Sequence, residues 1–348
     1  SMAASSFGKD AWGLASGSPE LQSAGQLAFG PEGIVFVGDA RGAAVYAIAT
    51  GGKTGSPSQS NLNIEKLDAK LAAALQADKI TVNDLAINPA AGEAIVSLST
   101  SSGPALARIS AQGEVSELSL KNVAFAKATL PSAPESKQTP RGNPRDESIT
   151  DLAYVDGRLL VSGLAAGGER GVSTVRELRF PFVESDPGAN LEIFHAAHGR
   201  VEDYAPIRTF VPFNIDGEAT VLAGFTCTPL VKFPVNQLTS GKKTRGTTVA
   251  ELGNRNRPLD MIVYEQQGKR FLLMANSARG VMKISTEDIE KNEGLTEPVS
   301  GGGTAGQKFE TVTELTGVVQ LDKLDDARAV VLVQAQDGSL NLKSVPLP

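Results

Sequence analysis

The chain carries only two histidines, and both fall in one short run, Phe194-His195-Ala196-Ala197-His198-Gly199. Side chains three residues apart point to opposite sides of an extended strand, but in a turn they share a side and can chelate one metal ion. Imidazole suits copper, zinc, nickel or iron, whereas an oxygen-rich set suits Ca²⁺, Mg²⁺ or Mn²⁺. Glu202, Asp203 and Tyr204 follow directly and add further ligand or acid-base chemistry to the same stretch. The single cysteine, Cys227 in Phe225-Thr226-Cys227-Thr228-Pro229, offers either a thiolate ligand or a nucleophile with a histidine as its base. Hydrogen-bonded histidines that fix a turn, and a buried inert thiol, are the structural alternatives.

A second set of candidates is acidic. Asp84, Asp151 and Asp260 each open a short apolar run, and carboxylates so placed could ring a channel and hold Ca²⁺ or Mg²⁺ together with Asn83 or Asn276. An aspartate at a strand entry also serves simply as an acceptor for backbone N–H groups. Arg41 and Arg279 recur in matching Ala-Arg-Gly turns, which suggests a shared structural job; with Arg208 they could instead clamp an anionic substrate.

These residues are positioned by an internal repeat. Six segments share the order apolar strand, polar or Gly turn, strongly apolar strand, Gly turn, alternating strand: 26–48, 84–109, 151–178, 207–233, 259–284 and 318–345. The second strands, such as Ile34 to Val37 and Val330 to Val333, are apolar on both faces, as packing between neighbouring sheets demands. The pattern predicts an all-β fold, a six-bladed β-propeller with seven blades as the alternative, forming one domain over residues 3–348. The ring should close by pairing the C-terminal strand with the N-terminal segment, since closure removes unpaired edges. Two stretches interrupt the repeat. Asn63 to Gln76, with Ile64, Leu67, Leu71 and Leu75 at helical spacing, predicts a short amphipathic helix capped by Asn61 or Asn63. Asn122 to Ser148, with four prolines, predicts a long irregular loop.

In a propeller the entries to the inner strands and the hairpins between second and third strands lie on one face. The pattern therefore gathers Asp84, Asp151, Asp260, Asp39, Arg41, Thr226, Cys227, Asn276 and Arg279 around one channel mouth, with the loop from Leu191 to Tyr204 beside them. The composition excludes other functions. With 33 Lys and Arg against 39 Asp and Glu the net charge is −6, which argues against nucleic acid or an anionic membrane as the main partner. One cysteine excludes a disulfide framework within the chain. No run of about 18 apolar residues is present, so no membrane span is expected. Ser1-Met2 reads as the remnant of a cleaved tag, and the Ser/Gly/Ala-rich stretch after it suits a periplasmic or extracellular protein whose leader has been removed.

The runs Leu27-Ala28-Phe29-Gly30-Pro31-Glu32-Gly33 and Asp84-Leu85-Ala86-Ile87-Asn88-Pro89 resemble the superfamily of NHL-like, YVTN-like and gluconolactonase-like propellers. That resemblance is generic to the fold. It implies, by way of the gluconolactonase-like members, a Ca²⁺-dependent hydrolase with Asp84, Asp151 and Asp260 at the ion. The chain is also similar to propellers with a copper site built from His and Tyr, through His195, His198, Tyr204 and Cys227, and this makes copper the favoured metal, ahead of zinc or iron. A single tryptophan departs from the quinone-dependent propellers and speaks against a quinone cofactor. The leading expectation is a metal at the channel mouth, bound by His195 and His198, with Tyr204, Cys227 and Arg208 as catalytic groups acting on a small molecule by oxidation or hydrolysis. A non-catalytic propeller that binds a ligand or protein on that face is the alternative.

Overall fold

The computed structural model describes residues 10–52, 55–183 and 185–348. Ser1 and Met2, read above as a tag remnant, lie outside the described residues. Six sheets surround a central channel, and each is built outward from a strand that faces it. The innermost strands are Leu27–Phe29, Ile80–Ile87, Asp151–Val155, Thr209–Ile215, Pro258–Gln266 and Val318–Lys323, and they define blades I to VI in chain order. The fold is a six-bladed propeller. The second strands carry its core as their composition requires: Val35, Phe36 and Val37 of blade I, Leu272 to Ala275 of blade V and Val330 to Leu332 of blade VI are almost wholly buried. No helix among the described residues is long and apolar enough to cross a membrane.

The blades do not follow one another around the ring in chain order. Inner strands pack in the sequence I, III, IV, V, VI, II and back to I, so blade II stands between the first and the last blades. Blade I is assembled from three separated pieces. Its first three strands end at Ala49, its fourth strand, Val123–Thr129, arrives only after blade II is complete, and Ala15–Gly17 adds a fifth. The ring therefore does not close by joining the two ends of the chain as expected. The C-terminal strand Leu340–Pro346 instead meets the segment leading into blade II, through mutual Ile64–Leu342 backbone bonds, Lys66 N–H to Asn341 and Ser344 N–H to Asn63. Arg328 locks the same seam, donating to the carbonyls of Ser60 at 3.1 Å and Pro57 at 2.8 Å while ion-paired to Asp325 at 2.7 Å. Arg328→Ala leaves three acceptors without that partner and is expected to cost about 2 kcal/mol of unfolding free energy, read as a lower denaturant midpoint at unchanged slope.

The same seam explains two departures from expectation. The helix runs over Leu67–Ala74, not from Asn63, because the segment before it is held on blade VI by the Ile64–Leu342 bridge and by Asn63 and Lys66, and turns at 65–66. Asn61 and Asn63 do not cap it; Asn63 accepts from Ser344, and Leu67 and Leu71 alone carry the buried face. The proline-rich loop is shorter than 122–148, since Val-Ala-Phe-Ala-Lys-Ala-Thr alternates well enough to pair with Ala44–Ala49.

Candidate functional site

The fourth strand of blade III, Ala189–His195, alternates strictly: Ala189, Leu191, Ile193 and His195 face inward, and the residues between them are partly exposed. That parity buries the His195 imidazole. The chain then makes a 3-10 turn over Ala196–His198 and reverses at Gly199, whose φ of 63° lies in the left-handed region, before running back as Arg200–Glu202. Glu202 faces the same side as His195, and the small residues Ala196 and Ala197 let His198 fold over its neighbour. The two rings stack with centroids 3.7 Å apart and planes tilted by 32°.

Glu202 holds both rings. Its Oε2 lies 2.8 Å from His195 Nδ1 and its Oε1 lies 2.7 Å from His198 Nδ1, while Arg200 Nε donates to Oε1 at 3.0 Å. Burial pushes the Glu202 carboxyl up, but the bonds from His195, His198 and Arg200 outweigh it and hold the group well below the usual carboxylate range. A carboxylate on Nδ1 fixes the tautomer that leaves Nε2 as the free nitrogen, the arrangement that orients metal-bound histidines. His195 Nε2 is buried and has no hydrogen-bond partner. His198 is the exposed member of the pair, so one edge of the cluster faces solvent.

Glu251, at the end of the outer strand Thr247–Glu251 of blade IV, closes the cluster from behind. It is fully buried, its Oε2 accepts from Ala197 N–H at 3.2 Å, and its Oε1 has no partner. Burial raises its carboxyl to about 7, against the Ala197 bond and with the Glu202 charge adding to the rise. Reading the sequence for blades missed this residue, because Thr-Thr-Val-Ala-Glu lies beyond the three-strand repeat.

The acids form a separate arrangement. Asp84, Asp151, Asp260 and the unanticipated Asp322 project from the inner strands of blades II, III, V and VI. Each accepts two backbone N–H bonds, one from the next residue and one from the adjoining blade: Leu27 for Asp84, Phe210 for Asp151, Leu321 for Asp260 and Ile87 for Asp322, at 2.7–2.9 Å. All four clasps run in the same sense around the ring. The Gln320 amide donates to Asp84 Oδ1 and Asp260 Oδ2 at 2.9 Å each. Burial raises Asp151 to about 7 and Asp322 to about 6 and lifts Asp84 and Asp260 well above the ordinary value; the backbone bonds pull each back part of the way.

Below these acids lies a cavity of about 630 Å³. It runs toward the exit ends of the inner strands, where Ser56, Ser58, Pro89 and Asp326 border it. The cavity thus opens on the face opposite the one expected to hold the mouth.

The structure does not bring the histidines, the cysteine and the acids to one mouth. His195 sits on the fourth strand of its blade, three strand spacings or about 14 Å out from the inner strand, at the rim between blades III and IV. Among the described residues, the one group of three His, Cys, Asp or Glu side chains with ligand atoms within 4.8 Å of one another is His195, His198 and Glu202. Cys227 and the channel acids join no such group, and Asp84, Asp151 and Asp260 each accept the backbone clasps described above. Arg208 is engaged elsewhere, with Glu147 at 2.6 Å and Thr226 Oγ1 at 3.0 Å. Cys227 lies in that same turn with φ 64°, its N–H donating to Asn256. Tyr204 connects to the histidine cluster through Arg200, whose Nη2 donates to its hydroxyl at 3.0 Å. Arg41 pairs with Asp146 at the surface, Arg279 donates to Asn254, Asn83 donates to Ala24 and Ser99, Asn276 donates to Gly280 and accepts from Asn256, and Asp39 accepts from Gln22, Ser23 and Gly42.

No protein-family model matches the chain, and no curated protein matches it. Among solved structures it is similar to the extracellular domains 1–2 of Drosophila Semaphorin 1b, with 11% identity and a TM-score of 0.41 over 96% of this chain and 87% of that one. It is also similar to a protein described as a glucose dehydrogenase from Thermus thermophilus, with 13% identity and a TM-score of 0.38 over 96% of this chain and 100% of that one. A third is the PQQ-bound aldose sugar dehydrogenase of Streptomyces coelicolor, with 11% identity and a TM-score of 0.33 over 95% and 96% of the two chains. Likeness at this level decides neither activity nor partner; the propeller assignment rests on the sheets themselves.

Proposed function

We propose that the protein is a secreted or periplasmic propeller that binds a transition metal at its rim through His195 and His198, with Glu202 orienting both rings. The observation that carries this reading is the unpartnered Nε2 of His195. A buried polar atom left unpaired costs about 1–3 kcal/mol, and here its tautomer is set by a carboxylate on the other nitrogen. The donor set suits copper, zinc or iron. When bound, such an ion supplies Lewis acidity or an activated water, and the chemistry this supports is oxidation or hydrolysis of a small molecule. His198 and Tyr204 present the solvent-facing edge from which a substrate would approach.

Elemental analysis of tag-free protein purified without nickel resin tests the proposal, beside a His195→Ala/His198→Ala variant. About one equivalent of copper, zinc or iron, absent from the variant, is the expected result. Protein that stays metal-free after incubation with Cu²⁺ and with Zn²⁺ refutes it.

A second reading draws on the channel, where four carboxylates with raised affinity for protons border the large cavity. A small cationic molecule bound there without catalysis would stabilise the ionised carboxylates that burial disfavours. Saturable stabilisation by a diamine that survives loss of both histidines would favour it.

A further inference from the structure

We infer that the rim site takes an oxyanion, a phosphate or carboxylate group on a small molecule, with Arg200 and Arg170 as its cationic wall. The inference rests on the metal-binding reading above and adds the class of ligand. Arg200 is 62% exposed, one side of its guanidinium held by Glu202 and the other by the Tyr204 hydroxyl. Arg170, from the hairpin between the second and third strands of the same blade, lies with Cζ 4.5 Å from the centre of the Tyr204 ring, and no carboxylate pairs with it among the described residues. Two guanidinium groups therefore meet on one tyrosine, one at its hydroxyl and one over its face, and Arg200 joins it to the Glu202 that holds His198.

Most charges around this point already have partners. Glu202 is already shared by two imidazoles and Arg200, and Asp203 is ion-paired with Lys243 at 2.7 Å. Glu251 is fully buried behind the turn, with one oxygen on Ala197 N–H. Of the cations here Arg170 alone has no carboxylate partner among the described residues, and the ion would add to its charge. An unpaired guanidinium beside a Lewis acid recognises oxyanions, which planar guanidinium groups bind by paired hydrogen bonds. Neutral sugars or cationic substrates would gain nothing from it.

The test is calorimetric titration of protein loaded with one equivalent of Zn²⁺ and desalted, using inorganic phosphate, glycerol phosphate and acetate as separate probes. Phosphate is expected to bind, and Arg170→Ala to weaken it about five-fold at unchanged zinc content, while Arg41→Ala, on another blade, leaves it unchanged. Binding of the ester as well as the free ion identifies a phosphomonoester site; acetate binding alone assigns the site to carboxylates. Zinc uptake with no binding of any probe, or binding indifferent to Arg170→Ala, overturns the inference and leaves the metal reading standing. Failure to take up zinc, copper or iron removes the metal reading, and the inference falls with it.

Discussion

Thermal stability is expected to fall as the pH rises from about 5 to about 8, the reverse of the acid denaturation common in small globular proteins. The cause is the ring of channel acids. Between its ordinary value of 3.8 and about 7, Asp151 keeps in the folded state a proton that it gives up when unfolded. Asp322 does so up to about 6, and Asp84, Asp260 and Glu251 act in the same direction. A folded state that binds more protons loses stability with rising pH, by at most about 1.4 kcal/mol per pH unit for each such group. Part of the surface of these carboxylates faces the cavity, so a slope near 1 kcal/mol per pH unit for the set is the expected size. Groups held below the ordinary value, such as Glu202 and Asp325, contribute the opposite slope, but their window closes by about pH 5. Calorimetric melting at stepped pH checks this, and a melting temperature that is flat or rises over the range contradicts it. Asp151→Asn should melt lower and with a shallower slope, because the amide cannot accept from both Leu152 and Phe210 and has no proton to lose.

Glu202→Ala is expected to lower transition-metal affinity about 100-fold while leaving both histidines in place. The alanine removes the carboxylate that holds the two Nδ1 atoms at 2.8 and 2.7 Å, so each ring can rotate and take either tautomer. Two imidazole groups that lose their partner should also cost about 2 kcal/mol of folding stability. Glu202→Gln accepts from one ring and clashes as a donor with the other, so an intermediate loss, about ten-fold, is expected. Competition titration with a chelator measures both variants. Affinity unchanged in Glu202→Ala would mean that the carboxylate does not orient the ligands.

The six blades were legible because a strand buried on both faces leaves an unmistakable apolar run, as in Ile34-Val35-Phe36-Val37. Their order around the ring was not, because alternation reports which face of a strand is buried and not which sheet covers it. The decisive residues were Ile64 and the 123–129 strand, whose partners are far away in sequence. The histidine pair stood out as the only one in the chain, yet its place did not. The outer strand Ala189-Asn190-Leu191-Glu192-Ile193-Phe194-His195 does alternate with period two, and recognising it as a fourth strand would have moved the pair from the channel to the rim. Asp322 escaped notice because it sits two residues beyond the position that Gln320 holds in register with Asp84 and Asp260. Glu251 gave no signal apart from being an acid in an apolar run.

The displaced second blade bears on how the chain can fold as it is synthesised. When residue 117 leaves the ribosome, blade II has all four of its strands, but only one of its two neighbours is present, and that neighbour still lacks its fourth strand. Its other face carries Leu71, Val96, Leu98 and Ala107, which share a core with Val330, Leu332 and Leu342 of blade VI. That surface must wait, bare, for more than half of the polypeptide to emerge. Vectorial synthesis therefore leaves a sticky intermediate that persists until the last strand arrives, and a nascent chain stalled anywhere between the third and fifth blades should be a client of chaperones.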